Sequence, residues 1–236
     1  MRFTGNILSL LQHFLFPQHC PVCGRLGAAF CDECLEQAVG SFSPFCSVCG
    51  GLWTASLCKN AFPCYFASAY DGYAKEFLLN LKYRNSRSLG IPMGRLMGRL
   101  FEKTGAEIIL PVPLHINSSR AFNQTELLAQ GISEVQNIPV SDMLFWSDDF
   151  GRQVEKKAGE RKALPKSAIK CRPLFGKKVL LVDDVYTTGS TVRSAGEAVR
   201  QVGGKVAAAY FWCRSVRRKN SDEFDDIIDA LSLEIG

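Results

Sequence analysis

Hydrophobic positions change rhythm several times along this chain, and each change marks an expected element. Val179-Leu180-Leu181-Val182 is an unbroken apolar run, the pattern of a strand buried on both faces. From Val192 to Val202 the apolar positions recur at helical spacing. Glu107 to Pro113 reads as a second buried strand, ending in Pro-Val-Pro, where missing N–H donors force the chain out of a sheet. Tyr65 to Tyr70 alternates aromatic and small residues as a strand does, and Tyr73 to Tyr83 follows with Phe77, Leu78 and Leu81 at helical spacing. Ile91 to Lys103 is a second amphipathic helix, with Arg95 and Arg99 on its polar side. Another helix begins around Phe122-Asn123-Gln124 and runs to about Val135. Ile138 to Trp146 and Lys205 to Trp212 read as further strands. Strands alternating with helices predict an α/β fold with a mostly parallel sheet flanked by helices.

Three stretches depart from that alternation. Asn6 to Phe16 is apolar at helical spacing but too short to span a bilayer, and is expected to pack on the rest of the protein. Ser147 to Ser167 is polar and lysine-rich without a core pattern, as a functional lid or a disordered loop is. The tail, Asp222 to Gly236, reads as a surface helix.

Composition changes this picture little. The 236 residues are 47% hydrophobic and 22% charged, as in an ordinary globular protein, and can hold one full domain plus a small one. A net charge of +5 suits a polyanionic ligand without requiring nucleic acid. The sequence contains no transmembrane stretch and no secretory cleavage pattern after the first apolar segment, so a cytoplasmic protein is expected.

Cysteine changes it more. Eight of the ten cysteines precede residue 65: Cys20, Cys23, Cys31, Cys34, Cys46, Cys49, Cys58 and Cys64. Three clean C-x-x-C pairs and one wider pair suggest two tetrahedral sulfur sites, because each such turn points two thiolates at one ion. Chain order assigns Cys20, Cys23, Cys31 and Cys34 to one site and Cys46, Cys49, Cys58 and Cys64 to the other. Zn²⁺ is the default metal for four sulfurs, and the role of such closed sites is structural. Disulfides in an oxidising compartment and an iron–sulfur cluster are the alternatives. His13 and His19 are substitute ligands or plain polar surface. A division into residues 1–64, a helix and double zinc ribbon, and 65–236, the α/β domain, is expected. Cys213 ends an apolar run and reads as a buried strand residue.

The chemistry concentrates just after the apolar run at 179–182. Asp183 and Asp184 stand at the carboxyl end of the strand, where ligands of open α/β sheets bind. Thr187, Thr188, Gly189, Ser190 and Thr191 then lead into a helix, whose free N–H groups and dipole suit a phosphate. The hydroxyls add donors. Two carboxylates repel phosphate but accept from sugar hydroxyls, or hold a magnesium ion carried by the rest of the ligand. The plain alternative is a capped helix start on the surface.

This stretch resembles the signature of the type I phosphoribosyltransferases, which bind 5-phosphoribosyl-1-pyrophosphate (PRPP) with Mg²⁺. The resemblance implies that the acids hold the ribose hydroxyls and that Thr187 to Thr191 hold the 5-phosphate. With the cysteines included, nearly the whole chain is similar to the ComF family, in which a double zinc ribbon precedes a phosphoribosyltransferase-like domain. Leu81-Lys82-Tyr83, Pro111-Val112-Pro113-Leu114-His115, Arg120-Ala121-Phe122-Asn123-Gln124, Gln153 and Arg161 carry the likeness. It implies Lys82 and His115 as substrate-binding residues, Arg152 and Arg161 as loop candidates for catalysis, and residues 147–167 as the closing loop. Ala121 stands where the family usually has glycine, and the basic residues expected near 145–150 are Ser147, Asp148 and Asp149.

The resemblance implies transfer of a phosphoribosyl group to an unknown acceptor with release of pyrophosphate. Thr187 replaces the carboxylate that many purine-salvage relatives use on the base, which disfavours that kind of acceptor. Two other classes remain: a non-catalytic PRPP- or nucleotide-binding regulator, and a DNA-uptake accessory protein that binds single-stranded DNA or partners of the competence machinery. Residues 20–64 carry only Arg25 and Lys59 as basic side chains, a poor polyanion surface.

Overall fold

The computed structural model describes residues 19–26, 30–53, 58–84, 86–115, 118, 120–147 and 168–215. The expected first helix, the polar stretch from 148 to 167 with Arg152, Gln153 and Arg161, His13 and the tail lie outside the described residues.

One five-stranded sheet organises the chain. Its strands are β1 (Phe45–Cys46), β2 (Pro63–Ala69), β3 (Ile108–Pro111), β6 (Lys178–Tyr186) and β7 (Lys205–Arg214), in spatial order β1-β2-β7-β6-β3. β2, β7, β6 and β3 are mutually parallel, and β1 adds an antiparallel edge. The expected mostly parallel sheet is therefore present. The helices are α1 (Asp32–Gln37), α2 (Gly72–Tyr83), α3 (Gly90–Leu100), α4 (Gln124–Gln136) and α5 (Ser190–Gln201).

Side chains along a strand alternate between its faces, so each apolar run feeds two cores. On β6 and β7, Leu180, Val182, Tyr210 and Trp212 face one layer, with Phe77, Leu78 and Leu81 of α2, Met93 and Met97 of α3, and Leu128 and Ile132 of α4. Val179, Leu181, Ala209 and Phe211 face the other, with Val192, Ala195 and Val199 of α5. Val179 to Val182 are all fully buried, which is why no polar residue interrupts them. Each such side chain stabilises the fold by about 1.5–3 kcal/mol.

Helices α3 and α4 meet backbone to backbone. A Cβ on Gly94 would lie 2.2 Å from the Leu128 carbonyl oxygen, and one on Gly131 would lie 2.2 Å from that of Ile91. Arg95, on the outer side of this pair, reaches Glu134 at 2.5 Å. Arg95 and Arg99 are both exposed.

The expected strand from Ile138 to Trp146 is mostly not one. Only Leu144–Trp146 (β4) is extended and paired, and it pairs antiparallel with Ile169–Cys171 (β5) outside the main sheet. Val140 makes a single parallel bridge to Ile109. Pro139 supplies the carbonyl that receives Ile109 N–H, and Ser141 N–H returns to Ile109 O, so the segment touches the edge of β3 and leaves it. The division expected at 64 falls inside β2, and β1 joins the same sheet, so both parts of the chain share its edge.

Candidate functional site: strand-end carboxylates and two cysteine clusters

Asp183 and Asp184 lie within β6, near its carboxyl end, rather than beyond it. Alternation puts them on opposite faces and gives them different surroundings. Asp184 continues the face of Leu180 and Val182, toward α2 and α4, and is buried at 6% exposure. One of its oxygens takes the Lys82 ammonium at 2.9 Å, and the other accepts from the Gln124 amide. Lys82 comes from the last turn of α2 and Gln124 opens α4, so three segments meet on one carboxylate. Asp183 shares the face of Val179 and Leu181, and its Oδ1 accepts the Asp184 N–H at 2.8 Å. Burial first, and then the Asp184 charge, push the Asp183 carboxyl up to about 7, against the pull of Lys82 and Arg120.

Gln124 is placed by a local lock. Asn123 caps α4 by accepting Thr125 N–H at 3.2 Å. Asn123 Nδ2 and Thr125 Oγ1 both donate to Val112 O, at 3.1 and 2.6 Å, and Val112 N–H donates to Val182 O. The Pro-Val-Pro turn, the start of α4 and the end of β6 are thus one hydrogen-bonded unit. His115 follows this turn and meets the Trp146 ring edge-on at 5.2 Å, while Trp146 Nε1 donates to Leu114 O at 2.7 Å. Two further bases rest on aromatic faces: Arg87 over Phe122 at 4.9 Å and Arg120 over Tyr83 at 5.6 Å.

The hydroxyl loop follows directly. Thr187 and Thr188 are exposed, Ser190 and Thr191 half-buried, and Gly189 buried with φ at 71°. A Cβ there would lie 2.6 Å from both the Tyr186 hydroxyl and Arg193, so only glycine fits on both counts. Thr188 Oγ1 and Ser190 Oγ are 3.0 Å apart, and Ser190 opens α5. Two hydroxyls therefore stand together at an exposed helix start, with Ser190 N–H turned onto Thr188 Oγ1. Arg193, one turn into α5, donates to Thr188 O at 2.9 Å. No local sequence signal marks Arg193, and none gives Gln124 its role on Asp184, because only the fold joins positions 60 residues apart.

The cysteines fall into two groups of unequal size. Cys20, Cys23, Cys31 and Cys34 bring four sulfurs within 4.8 Å of one another. The Cys23–Cys31 and Cys31–Cys20 separations, 3.6 and 3.8 Å, match the roughly 3.8 Å edge of a tetrahedron with metal–sulfur bonds of about 2.3 Å. Burial opposes ionisation of Cys20, but backbone N–H groups of Cys23, Val22 and Cys31 draw its thiol down to about 7. These residues fit a structural Zn²⁺. In the second group, among the described residues, only Cys46, Cys49 and Cys58 converge. The fourth sulfur expected there, Cys64, is not among them: it lies on β2, fully buried, opposite Phe45 and Ala209. Burial pushes its thiol well up. His19 is exposed, in a bridge with Leu26, and belongs to neither group. Cys213 is buried in β7 as expected.

A cleft of about 410 Å³ lies between the second group and α5, lined by Ser47, Lys59, Asn60, Ser190, Arg193 and Arg200 among others. It touches the hydroxyl loop through Ser190 but excludes Lys82, Asp183 and Asp184, so it is a neighbour of the strand-end site and not the site itself. Among the described residues no helix is long and apolar enough to cross a membrane.

The phosphoribosyl transferase domain family matches residues 147–234. Competence protein F of Haemophilus influenzae is 27% identical over 196 residues, covering 73% of this chain and 85% of its own. Competence protein ComFC of Bacillus subtilis is 25% identical over 202 residues, covering 81% of this chain and 75% of its own. Among solved structures, glutamine phosphoribosylpyrophosphate amidotransferase from B. subtilis superposes with a TM-score of 0.36 at 21% identity, over 53% of this chain. The chain spans about a quarter of that protein, 26% of its length. The likeness that the motifs pointed to extends along most of the chain: it is similar to competence proteins F and ComFC, with a phosphoribosyl transferase domain match in its second half and a cysteine-rich segment ahead of the sheet.

Proposed function

We propose that the strand-end site binds PRPP, or a closely related phosphorylated ribose, with Mg²⁺, and passes the phosphoribosyl group to an acceptor. The observation that carries this reading is the junction of β6 and α5. A half-buried carboxyl, Asp183, stands four to eight residues ahead of a hydroxyl loop bent by left-handed Gly189 onto a helix start. The loop residues Thr187, Thr188, Gly189, Ser190 and Thr191 hold the 5-phosphate through hydroxyls and backbone N–H groups. Asp183 accepts from the ribose hydroxyls. Asp184, with both oxygens engaged, positions Lys82 and Gln124 at the floor of the site. The bound magnesium ion would neutralise charge on the pyrophosphate, with Asp183 and the ribose side of the ligand on its route. The Pro-Val-Pro turn with His115 lines the leaving-group side.

In the reaction, the bond from ribose C1 to the pyrophosphate oxygen breaks as the acceptor bonds to C1. The chain's residues contribute by holding phosphate and sugar fixed while positive charge builds at C1. The relatives' names tie the fold to competence, and the physiological setting proposed for this protein is accordingly DNA uptake.

Calorimetry with PRPP and Mg²⁺ tests the reading. The metal-replete protein is expected to bind, and Asp183→Asn with Asp184→Asn to lose binding, while Arg95→Ala, on the outer face, leaves it intact. Absence of binding by the wild-type protein would overturn it.

A further inference from the structure

The second cysteine group has a feature that the first lacks. Cys20, Cys31 and Cys46 are each followed three residues later by another cysteine; the same step from Cys58 lands on Ala61. The turn needed to bring position 61 back is present. Ala61 N–H donates to Cys58 O at 3.2 Å, and Asn60 takes a left-handed φ of 61°. A methyl group therefore stands where the repeat would place a fourth thiolate. Cys64, one turn of chain further on, is committed to β2 and to a buried cluster with Phe45, Phe62 and Phe211.

Three sulfurs nonetheless stay together, and arginines of the α/β part account for it. Arg193 donates to Ser47 O at 3.3 Å, Arg214 to Gly50 O at 2.6 Å and Arg200 to Asn60 O at 3.2 Å. Each carbonyl lies within two residues of Cys46, Cys49 or Cys58. Arg214 is itself held among Phe45, Tyr186 and Phe66, its guanidinium 4.1 Å from the Phe45 ring centre. The loops that carry the sulfurs are thus fixed from outside, and among the described residues no fourth ligand closes them. Cys49 is exposed and Cys58 half-buried, so water and small molecules reach the group.

We infer that Cys46, Cys49 and Cys58 form a three-thiolate zinc site with an open fourth corner at Ala61, which takes an exchangeable outside donor, water or a small thiolate. Sites with three protein ligands and an open position exchange that position, whereas four-sulfur sites are closed. The first group is the closed kind and the second the open kind. This inference does not depend on what the strand-end site binds.

The test uses the full chain loaded with two equivalents of Zn²⁺ and an excess of a chromophoric chelator. The wild-type protein should release one equivalent quickly and one slowly. Cys58→Ser should abolish the fast phase and keep the slow one. Ala61→Cys should convert the fast phase into a second slow one, by about tenfold or more. With Co²⁺ in place of zinc, added 2-mercaptoethanol should shift the absorption bands of one equivalent only, and of none in Ala61→Cys. A single slow phase for both equivalents, only one equivalent bound in total, or loss of the second equivalent in Cys64→Ala would each overturn the inference.

Discussion

The first cysteine group and the strand-end site are assembled in opposite ways. Cys20 to Cys34 gather four ligands from 15 consecutive residues, and turns such as the one closed by Gly24 N–H to Cys20 O at 2.9 Å do the gathering. The Asp184 carboxylate is met by Lys82 from 102 residues away and by Gln124 from 60. A site of the first kind is limited by the metal its sulfurs would hold, although Cys20 and Cys34 also pack with Leu35 and Ala38 in the core. A site of the second kind is limited by the sheet and helices that bring its parts together. The second cysteine group lies between these extremes, with local sulfurs held by distant arginines.

Metal removal separates the two most sharply. Structural zinc contributes on the order of 10 kcal/mol or more to the fold of such a segment. Chelation is expected to open residues 19–53 to protease while amides in β6 and β7 keep their protection from hydrogen exchange. Simultaneous loss of both would break the comparison.

The next effect belongs to the distant contacts. Lys82 and Asp184 form a pair with side chains 14% and 9% exposed. Lys82→Met leaves a buried carboxylate without its cation and is expected to cost about 3–5 kcal/mol in chemical denaturation. Lys82→Met combined with Asp184→Leu should recover most of that loss, because the charge is then gone as well. Zinc content should stay unchanged in both.

Gly189→Ala is expected to cost about 1–2 kcal/mol from the left-handed backbone alone, with a further loss from the contact with Tyr186. Its affinity for phosphorylated ribose should fall more than its stability does. Asn123→Ala removes the cap of α4 and should cost about 1 kcal/mol, read from the denaturation midpoint.

The last effect is a pH dependence. Asp183 holds its proton in the folded chain up to about pH 7, while the unfolded carboxyl loses it near pH 4. Between those values the folded state binds more protons, so this group stabilises at low pH and that contribution is lost as pH rises from about 4 to about 7. Asp183→Asn should flatten the stability profile across that window.

Much of this was legible in the chain itself. The fully buried strand at Val179–Val182, the helices around Phe77, Met93 and Leu128, and the first four cysteines are set by local spacing and apolar periodicity, which neighbouring residues suffice to express. The hydroxyl loop and its glycine follow from the same kind of short-range geometry. Three things were decided only in three dimensions. The Ile138 to Trp146 stretch has strand-like residues, yet most of it finds no partner, because pairing depends on which edge is free. Cys64 has the sequence credentials of a ligand, yet the pairing of β2 with β1 and β7 turns it into the core. Asp183 and Asp184 are chemically identical neighbours, and the two-residue alternation of a strand gives one of them to Lys82 and Gln124 and leaves the other on the opposite face, accepting Asp184 N–H.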